Sequence, residues 1–317
     1  MKQLLWLSII GLLLIGCTQQ ESIPLRVATN VWPGYEPLYL AKEMNMYAND
    51  LVELVELPNA TEVIRAYRNG FVDGAAITLD EALLLTEQQT DFSILLITDY
   101  SHGGDVILAR PPINALHAIR GHNVGVENSA LGAYVISRAL EINNIKPHEI
   151  TIVPVYVDEH EQAYDKGKVD VVVTFEPVRT KLLEKGANLI FDSSQMPKEI
   201  VDILIVRNHF LEKHPQSVRA LLTGWFAALN LIQQDPDSAY TLIAKRLGMS
   251  KEETQHSYEG LLLPDLAENK KMLLGRPAPL LTTIEKLADN MIAAKILKKK
   301  NNYQTIFLSE DKMGLYP

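Results

Sequence analysis

Thr29-Asn30-Val31-Trp32-Pro33-Gly34-Tyr35-Glu36-Pro37-Leu38-Tyr39-Leu40-Ala41-Lys42 is the stretch on which the reading of the chain turns. Residues 25–28 before it form an apolar-rich run bounded by turn residues, which reads as a strand. Pro33, Gly34 and Pro37 interrupt regular structure, and residues 38–46 resume at helical spacing. Strand, loop and helix make the first βα unit of an open α/β sheet. Ligands of such sheets sit beyond the carboxyl ends of the strands, which is where this loop lies. Trp32 and Tyr35 offer flat, rigid faces there, and Gly34 lets the backbone come close to a bound molecule. Taken alone, the two aromatics fit a ligand wall or a core cap equally well.

An internal echo extends this unit into an architecture. Ala66-Tyr67-Arg68-Asn69-Gly70-Phe71-Val72-Asp73 recurs as Ala163-Tyr164-Asp165-Lys166-Gly167-Lys168-Val169-Asp170, with the shared pattern A-Y-x-x-G-x-V-D. A helix runs up to the glycine, which takes the left-handed position after it. A buried strand follows the Val-Asp pair: Gly74 to Thr78 in the first copy, Val171 to Thr174 in the second. Both run into acidic residues, Leu79-Asp80-Glu81 and Phe175-Glu176-Pro177. Two similar lobes are the reading that accounts for the repeat.

The α/β rhythm continues on both sides of the copies. Residues 52–57 read as a strand, with Asn59 and Glu62 as N-cap and partner of the helix that ends at Asn69. Residues 92–98 read as a strand, then Asp99-Tyr100-Ser101-His102-Gly103-Gly104-Asp105 as a loop, then 106–109 as a strand. Further strands are expected at 123–126, 150–155, 188–191 and 200–206, and Ser129 caps a helix over 130–143. From Ser217 onward the pattern is helical, with Leu221, Leu222, Trp225, Phe226, Leu229 and Ile232 on one apolar face that reads as core. Lys298-Lys299-Lys300 reads as a solvated helix end.

The chain of 317 residues carries a formal net charge of −9 and near-average hydrophobic content, which points away from nucleic acid. Lys2 supplies a small positive region, and residues 4–15 an apolar segment too short to span a bilayer comfortably. Leu14-Ile15-Gly16-Cys17 then resembles the bacterial lipoprotein signal, in which the cysteine is lipidated and becomes the new N-terminus. A retained membrane helix, or an ordinary signal cut elsewhere, are the other readings. Cys17 is the only cysteine, so there is no disulfide framework and no cysteine-based metal site. About 300 remaining residues exceed the size at which one core keeps growing. The expected division is a signal over 1–17, a tether over 18–23, one lobe from 24–109 and 207–317, and a second from 110–206.

W-P-G-Y-x-P-L-Y-L-A from Trp32, T-L-D-E from Thr78, D-x-S-x-G-x-D from Asp99 and T-F-E-P from Thr174 occur in that order. Together with the lipoprotein signal they resemble the solute-binding proteins of NitT/TauT-type ABC importers, a group that binds taurine, alkanesulfonates, nitrate and thiamine-precursor pyrimidines. The resemblance covers nearly the whole mature chain. It implies a periplasmic-binding-protein-like α/β fold: two lobes joined by a crossing-strand hinge, closing on a small-molecule ligand in the cleft between them. It also implies an ABC permease as partner and a place on the periplasmic face of a bacterial membrane, or the outer face of a Gram-positive one, held by the lipid. By motif position it points to Trp32, Gly34, Tyr35, Thr78, Asp80 and Asp99, and to Ser101, Gly104, Ser129, Thr174 and Glu176, as ligand-lining residues.

The motifs carry seven carboxylates, Asp80, Glu81, Asp99, Asp105, Glu127, Glu176 and Asp202, of which two or three are expected to touch ligand. Nitrate, or an alkyl sulfonate with no positive group to balance it, would be repelled by them unless several point away, so a small amine-bearing or zwitterionic solute is expected, with Asp80 and Glu176 at matching strand ends. Ser129 is either an anion-binding helix start or an ordinary cap. No G-x-S-x-G elbow, H-E-x-x-H helix, Walker loop or G-x-G-x-x-G is present, and the histidines lack ligand spacing. No cofactor, metal or catalysis is expected. A sensor that docks on a signalling receptor, or a pyrimidine-synthase-like enzyme (though those carry a cysteine cluster absent here), are the alternative functions.

Overall fold

The computed structural model describes residues 23–88 and 91–317. The signal and the lipidation site at Cys17 lie outside the described residues. Among the described residues no helix is long and apolar enough to cross a membrane.

Among the described residues eleven strands form two sheets. The first contains β1 (Leu25–Thr29), β2 (Val52–Glu56), β3 (Gly74–Thr78), β4 (Phe92–Ser101), β10 (Val201–Arg207) and the short β11 (Leu261–Leu262), in the order β11-β4-β10-β3-β1-β2. The second contains β5 (Val106–Ala109), β6 (Asn123–Val126), β7 (Thr151–Pro154), β8 (Val171–Thr174) and β9 (Asn188–Asp192), in the order β7-β6-β8-β5-β9. Three adjacent strands pair in parallel in each, and an antiparallel strand arriving from the other sheet, β10 beside β3 and β5 beside β8, separates them from a fourth of the same direction, β4 or β9. Thus β2-β1-β3-β10-β4 and β7-β6-β8-β5-β9 have the same order and directions.

The sequence echo has its counterpart in side-chain contacts. Gly70 and Gly167 both take positive φ, at 75° and 68°, where a side chain would be strained. Asp73 accepts from the backbone of Arg26 at the start of β1, and Asp170 accepts from that of Asn123 at the start of β6. Arg207, which ends β10, stacks 4.3 Å over Tyr67, and Arg110, which follows β5, stacks 4.5 Å over Tyr164.

The chain crosses between sheets in two stretches, after Ser101 and before Val201. The expected lobe boundaries at 109 and 206 therefore fall a few residues late, inside the units the strands actually join. The difference arises because Pro111-Pro112 is a stronger break in sequence than Gly103-Gly104, so the end of a strand reads as the end of a lobe. β4 also runs on through Asp99 to Ser101, since Asp99, Tyr100 and Ser101 find ladder partners in β10 and β11. Each sheet buries its own apolar cluster, and the helices from Pro215 onward pack on the first, with Trp225 fully buried.

Candidate functional site

The aromatic loop is fixed from behind. It forms a short 3-10 turn, Pro33–Tyr35, that leads into the helix Glu36–Glu43. Tyr258 donates to the Pro33 carbonyl at 2.8 Å. Arg246 donates through Nε and Nη2 to the two oxygens of Glu36, at 2.6 and 2.8 Å, and its guanidinium lies 3.4 Å over the Tyr39 ring. A bidentate pair of this kind fixes direction as well as distance. Glycine is required where the loop meets the sheet, because a Cβ on Gly34 would lie 1.9 Å from Asp99 Oδ2. On the other side of Trp32, a Cβ on Gly104 would lie 2.8 Å from its ring.

The loop reaches down onto two carboxylates. Trp32 Nε1 donates to Asp99 Oδ2 at 3.1 Å, and Tyr35 OH donates to Asp202 Oδ1 at 2.6 Å. Asp202 is the register partner of Asp99 on one side and of Thr78 on the other. Side chains opposite one another across a ladder share a face, so Thr78, Asp202 and Asp99 form one row. Thr78 opens the helix Leu79–Glu87, and its N–H donates to Glu81 Oε2 at 3.1 Å.

Thr78 and Asp202 of this row line a cavity of about 20 Å³, room for one water molecule, to which residues of both units contribute. Asn30, Trp32, Tyr35, Thr78, Glu81 and Asp202 come from the first unit, Leu131 and Phe175 from the second, and Asp105 from the crossing. Trp32 meets Phe175 edge-on, with centroids 5.4 Å apart and planes at 86°. Next to the cavity, at the start of the helix Ala60–Arg68, Asn59 donates to Asp158 at 2.9 Å and Thr61 Oγ1 to Glu127 at 3.2 Å, closing the two units on each other.

Asp80, Glu81, Asp99, Asp105 and Asp202 are all buried, and none has a lysine, arginine or histidine among the groups acting on it. Burial pushes Asp80 and Asp99 up to about 7 and Asp105 up to about 6. Glu81 and Asp202 are raised well above the carboxylate range, first by burial and then by neighbouring carboxylates. Asp80 Oδ2, Glu81 Oε1 and Asp99 Oδ1 are buried with no hydrogen-bond partner among the described residues. The cations on the cleft walls are committed elsewhere: Arg246 to Glu36 and Glu56, Arg179 to Glu176. Among the described residues no group of His, Cys, Asp and Glu has metal-holding geometry. The site is acidic and buried, with Trp32, Tyr35 and Phe175 among its lining residues.

Of the residues expected from sequence, Trp32, Tyr35 and Thr78 line the cavity, Gly34 and Asp99 sit directly behind it, and Gly104 backs Trp32. Asp80 lies at the head of the same helix as Glu81. Others are used elsewhere. Ser101 Oγ bonds Ser193 Oγ at 2.8 Å and accepts from Asp105 N–H, tying the crossings together. Ser129 accepts from Gly132 N–H at 3.1 Å, an ordinary helix cap. Glu176 accepts from Arg179 Nη1 and from Thr180 N–H and Oγ1, all between 2.9 and 3.0 Å, so both its oxygens serve its own helix start. Thr174 bonds His160 Nδ1 at 3.1 Å behind the sheet. The pairing of Asp80 with Glu176 across the cleft is therefore not formed.

The reason is a one-residue offset. Asp73 matches Asp170 in the echo, so Thr78 corresponds to Phe175 and the buried Ile77 to Thr174. Successive strand residues point to opposite faces. Counting from the echoed aspartate, rather than aligning the two threonines, identifies Phe175 as the residue that faces the cavity. Asp202, Asp105 and Glu81 line it too. Asp202 does so from a strand, Glu81 from the first turn of a helix and Asp105 from the crossing, and the spacing of acidic residues alone did not reveal it.

A family model described as NMT1-like family matches residues 18–248. The taurine-binding periplasmic protein of Escherichia coli (strain K12) is 23% identical over 220 residues, 66% of this chain and 68% of that protein. The alkanesulfonate-binding protein SsuA from Xanthomonas axonopodis pv. citri, bound to MOPS, is similar in fold with a TM-score of 0.74 at 15% identity, covering 88% of this chain and 96% of that chain. The desulfurization enzyme DSZB is also similar in fold, with a TM-score of 0.66 at 16% identity, covering 92% and 98%. These matches agree with the resemblance drawn from the motifs and with the two-sheet α/β fold.

Proposed function

The chain belongs to the NMT1-like family, and from that premise we propose that it is the solute-binding component of an ABC-type import system. Its solute is a small organic molecule with a basic nitrogen, free or as one end of a zwitterion such as an amino-sulfonate. The taurine-binding and alkanesulfonate-binding relatives support the import role. The five buried carboxylates without a cationic partner carry the choice of a basic nitrogen. An amine placed among them satisfies acceptors that are otherwise left bare, which for a charged hydrogen bond contributes about 1.5–3 kcal/mol. The two units act as lobes that open at residues 102–105 and 193–200 and close on the solute. The protein binds its solute without chemistry, and it is held by lipid on Cys17 at the outer face of a membrane, where it docks on a permease.

Native mass spectrometry of the protein purified from its host without refolding tests the solute class. A bound molecule with a basic nitrogen is expected. A retained solute that has none would contradict the proposal. Cys17→Ala tests the anchor: the variant should leave the membrane fraction or remain unprocessed, and a mature-sized protein that still fractionates with membranes would rule the anchor out.

A further inference from the structure

The end of the first sheet away from the cavity has a surface of its own. β1 and β3 pair in parallel, and Thr78 at the end of β3 lines the cavity. Their starts therefore lie at the opposite end, where Val206 meets Gly74 and Arg207 meets Phe92. Ile23 and Phe71 lead into these two adjacent strands and are 50% and 68% exposed. Phe71 departs from the repeat, which puts the exposed Lys168 at the equivalent position of the second unit.

A basic run lies at the same end. The helix Leu79–Glu87 starts beside the cavity and runs back to this end, where Lys298 N–H donates to Glu87 Oε1 at 2.7 Å. Asn301 Nδ2 donates to Thr86 Oγ1 at 3.0 Å, and Leu297 is buried in the core of the first unit. The backbone of the run is thus pinned at both ends, while Lys298 and Lys299 are exposed. Arg68 lines one groove with Gln88, the residue after Glu87. Among the described residues Arg68, Lys298 and Lys299 form no ion pair. The acids nearest the run are engaged: Glu87 by Lys298 N–H, Asp91 by Asn208 and Asp289 by Lys300. Glu43 and Asp50 lie toward β2, at the edge of the sheet.

We propose that this end of the first unit rests on a bilayer surface that contains anionic phospholipid. Phe71 sits at the level of the headgroups, and Arg68, Lys298 and Lys299 meet the phosphates. The proposal rests on the lipid anchor at Cys17 read above and extends it. The chain from Cys17 to Ile23 reaches about 20 Å when fully extended, so the end at which it enters the fold is held closest to the membrane. Charge favours the same orientation. In a chain of net charge −9 the basic run meets the lipid, and the acidic cleft at the other end of the strands is turned away from it. Each lysine near an anionic surface raises association about fivefold. An exposed aromatic ring settles at the membrane–water interface, which gives Phe71 a place that solvent does not.

Lysine footprinting tests the contact. The full chain, purified from its host, is mixed with vesicles of phosphatidylcholine alone or with phosphatidylglycerol added, and acetylation is followed by mass spectrometry. Lys298 and Lys299 should react about fivefold more slowly on the anionic vesicles, and high salt should remove the difference. Lys168, on the equivalent turn of the second unit, should react equally on both. Phe71→Ser, at an exposed position, should keep the melting temperature and lose about half of the protection. Retention by the neutral vesicles reports the anchor separately. A chain that they do not retain refutes the anchor, and the rates on anionic vesicles still decide the contact. Equal rates at Lys298 and Lys299 on both kinds of vesicle would overturn the contact and leave the anchor standing where the neutral vesicles retain the chain. Protection found only on host membranes that keep their proteins would assign this end to a protein partner and overturn it as well.

Discussion

Asp99 and Asp202 stand opposite one another on adjacent antiparallel strands, and a single loop holds both, through Trp32 Nε1 and Tyr35 OH. Two like charges this close and this deeply buried are tolerated only while neutral donors or protons offset them. Tyr35→Phe removes one donor and keeps the ring. It should lower stability by about 1–3 kcal/mol at pH 8, where Asp202 is left without its partner, and by less at pH 5. Urea unfolding at the two pH values reads the difference. An equal loss at both would mean that the hydroxyl does not serve the carboxylate.

The cluster also sets how stability depends on pH. Asp80 and Asp99 titrate near 7 and Asp105 near 6 in the folded chain, against about 3.9 in an unfolded one. Between these limits the folded state holds more protons, so the unfolding free energy falls as pH rises. The stabilisation is complete below about pH 4 and is lost by about pH 7 to 8. The solute-free protein should therefore melt lower at pH 8 than at pH 5.5, and Asp99→Asn should flatten the trend. A melting temperature that rises across that range would contradict the protonated cluster.

Phe175 and Thr174 are neighbours with opposite tasks. Phe175 packs edge-on to Trp32 over the cavity, whereas Thr174 bonds His160, whose imidazole burial lowers to about 4 and keeps neutral. Phe175→Ala should weaken amine binding about tenfold with a modest loss of stability, an edge-on aromatic contact being worth about 0.5–1.5 kcal/mol. Thr174→Val should cost about 1 kcal/mol of stability and leave affinity unchanged. Calorimetry and thermal melting of both variants separate the two. The reverse pattern would mean that the cavity lies on the other face of the strand.

Ser193 ties the two crossings. Its hydroxyl bonds Ser101 Oγ at 2.8 Å and accepts from Gly103 N–H at 2.6 Å. Ser193→Ala should lower stability by about 1–3 kcal/mol and raise the fraction of open molecules. Small-angle scattering of the wild type should show compaction on adding saturating n-butylamine, and the solute-free variant should start from a larger radius. Identical profiles with and without solute would point to a rigid cleft.

Much of this was legible in the sequence because local signals agreed with the fold. The echoed glycines, the Asn59 and Ser129 caps and the apolar stripe around Trp225 each depend on neighbours within a few residues, and each is found as expected. The aromatic loop was legible for the same reason. The cavity floor was not, because it is set by register between strands more than 100 residues apart: Asp202 against Asp99 and Thr78. Glu176 resembled Asp80 in its motif, yet two N–H donors and a hydroxyl of its own helix start claim it. An acidic residue after a strand can cap a helix or face a ligand, and only the three-dimensional neighbours decide which.

The preference of the acid cluster for a basic nitrogen is tested most directly by calorimetric titration against pairs that differ only in that nitrogen. Taurine against isethionate exchanges an ammonium for a hydroxyl beside the same sulfonate, and n-butylamine against n-butanol does so without the sulfonate. In at least one pair the amine should bind wild type by about tenfold or more over its partner, and Asp202→Asn should remove most of that advantage. Below about pH 7 amine binding should also release protons, seen as a heat that varies with the ionisation enthalpy of the buffer. Equal affinity within both pairs, with no proton release, would contradict it.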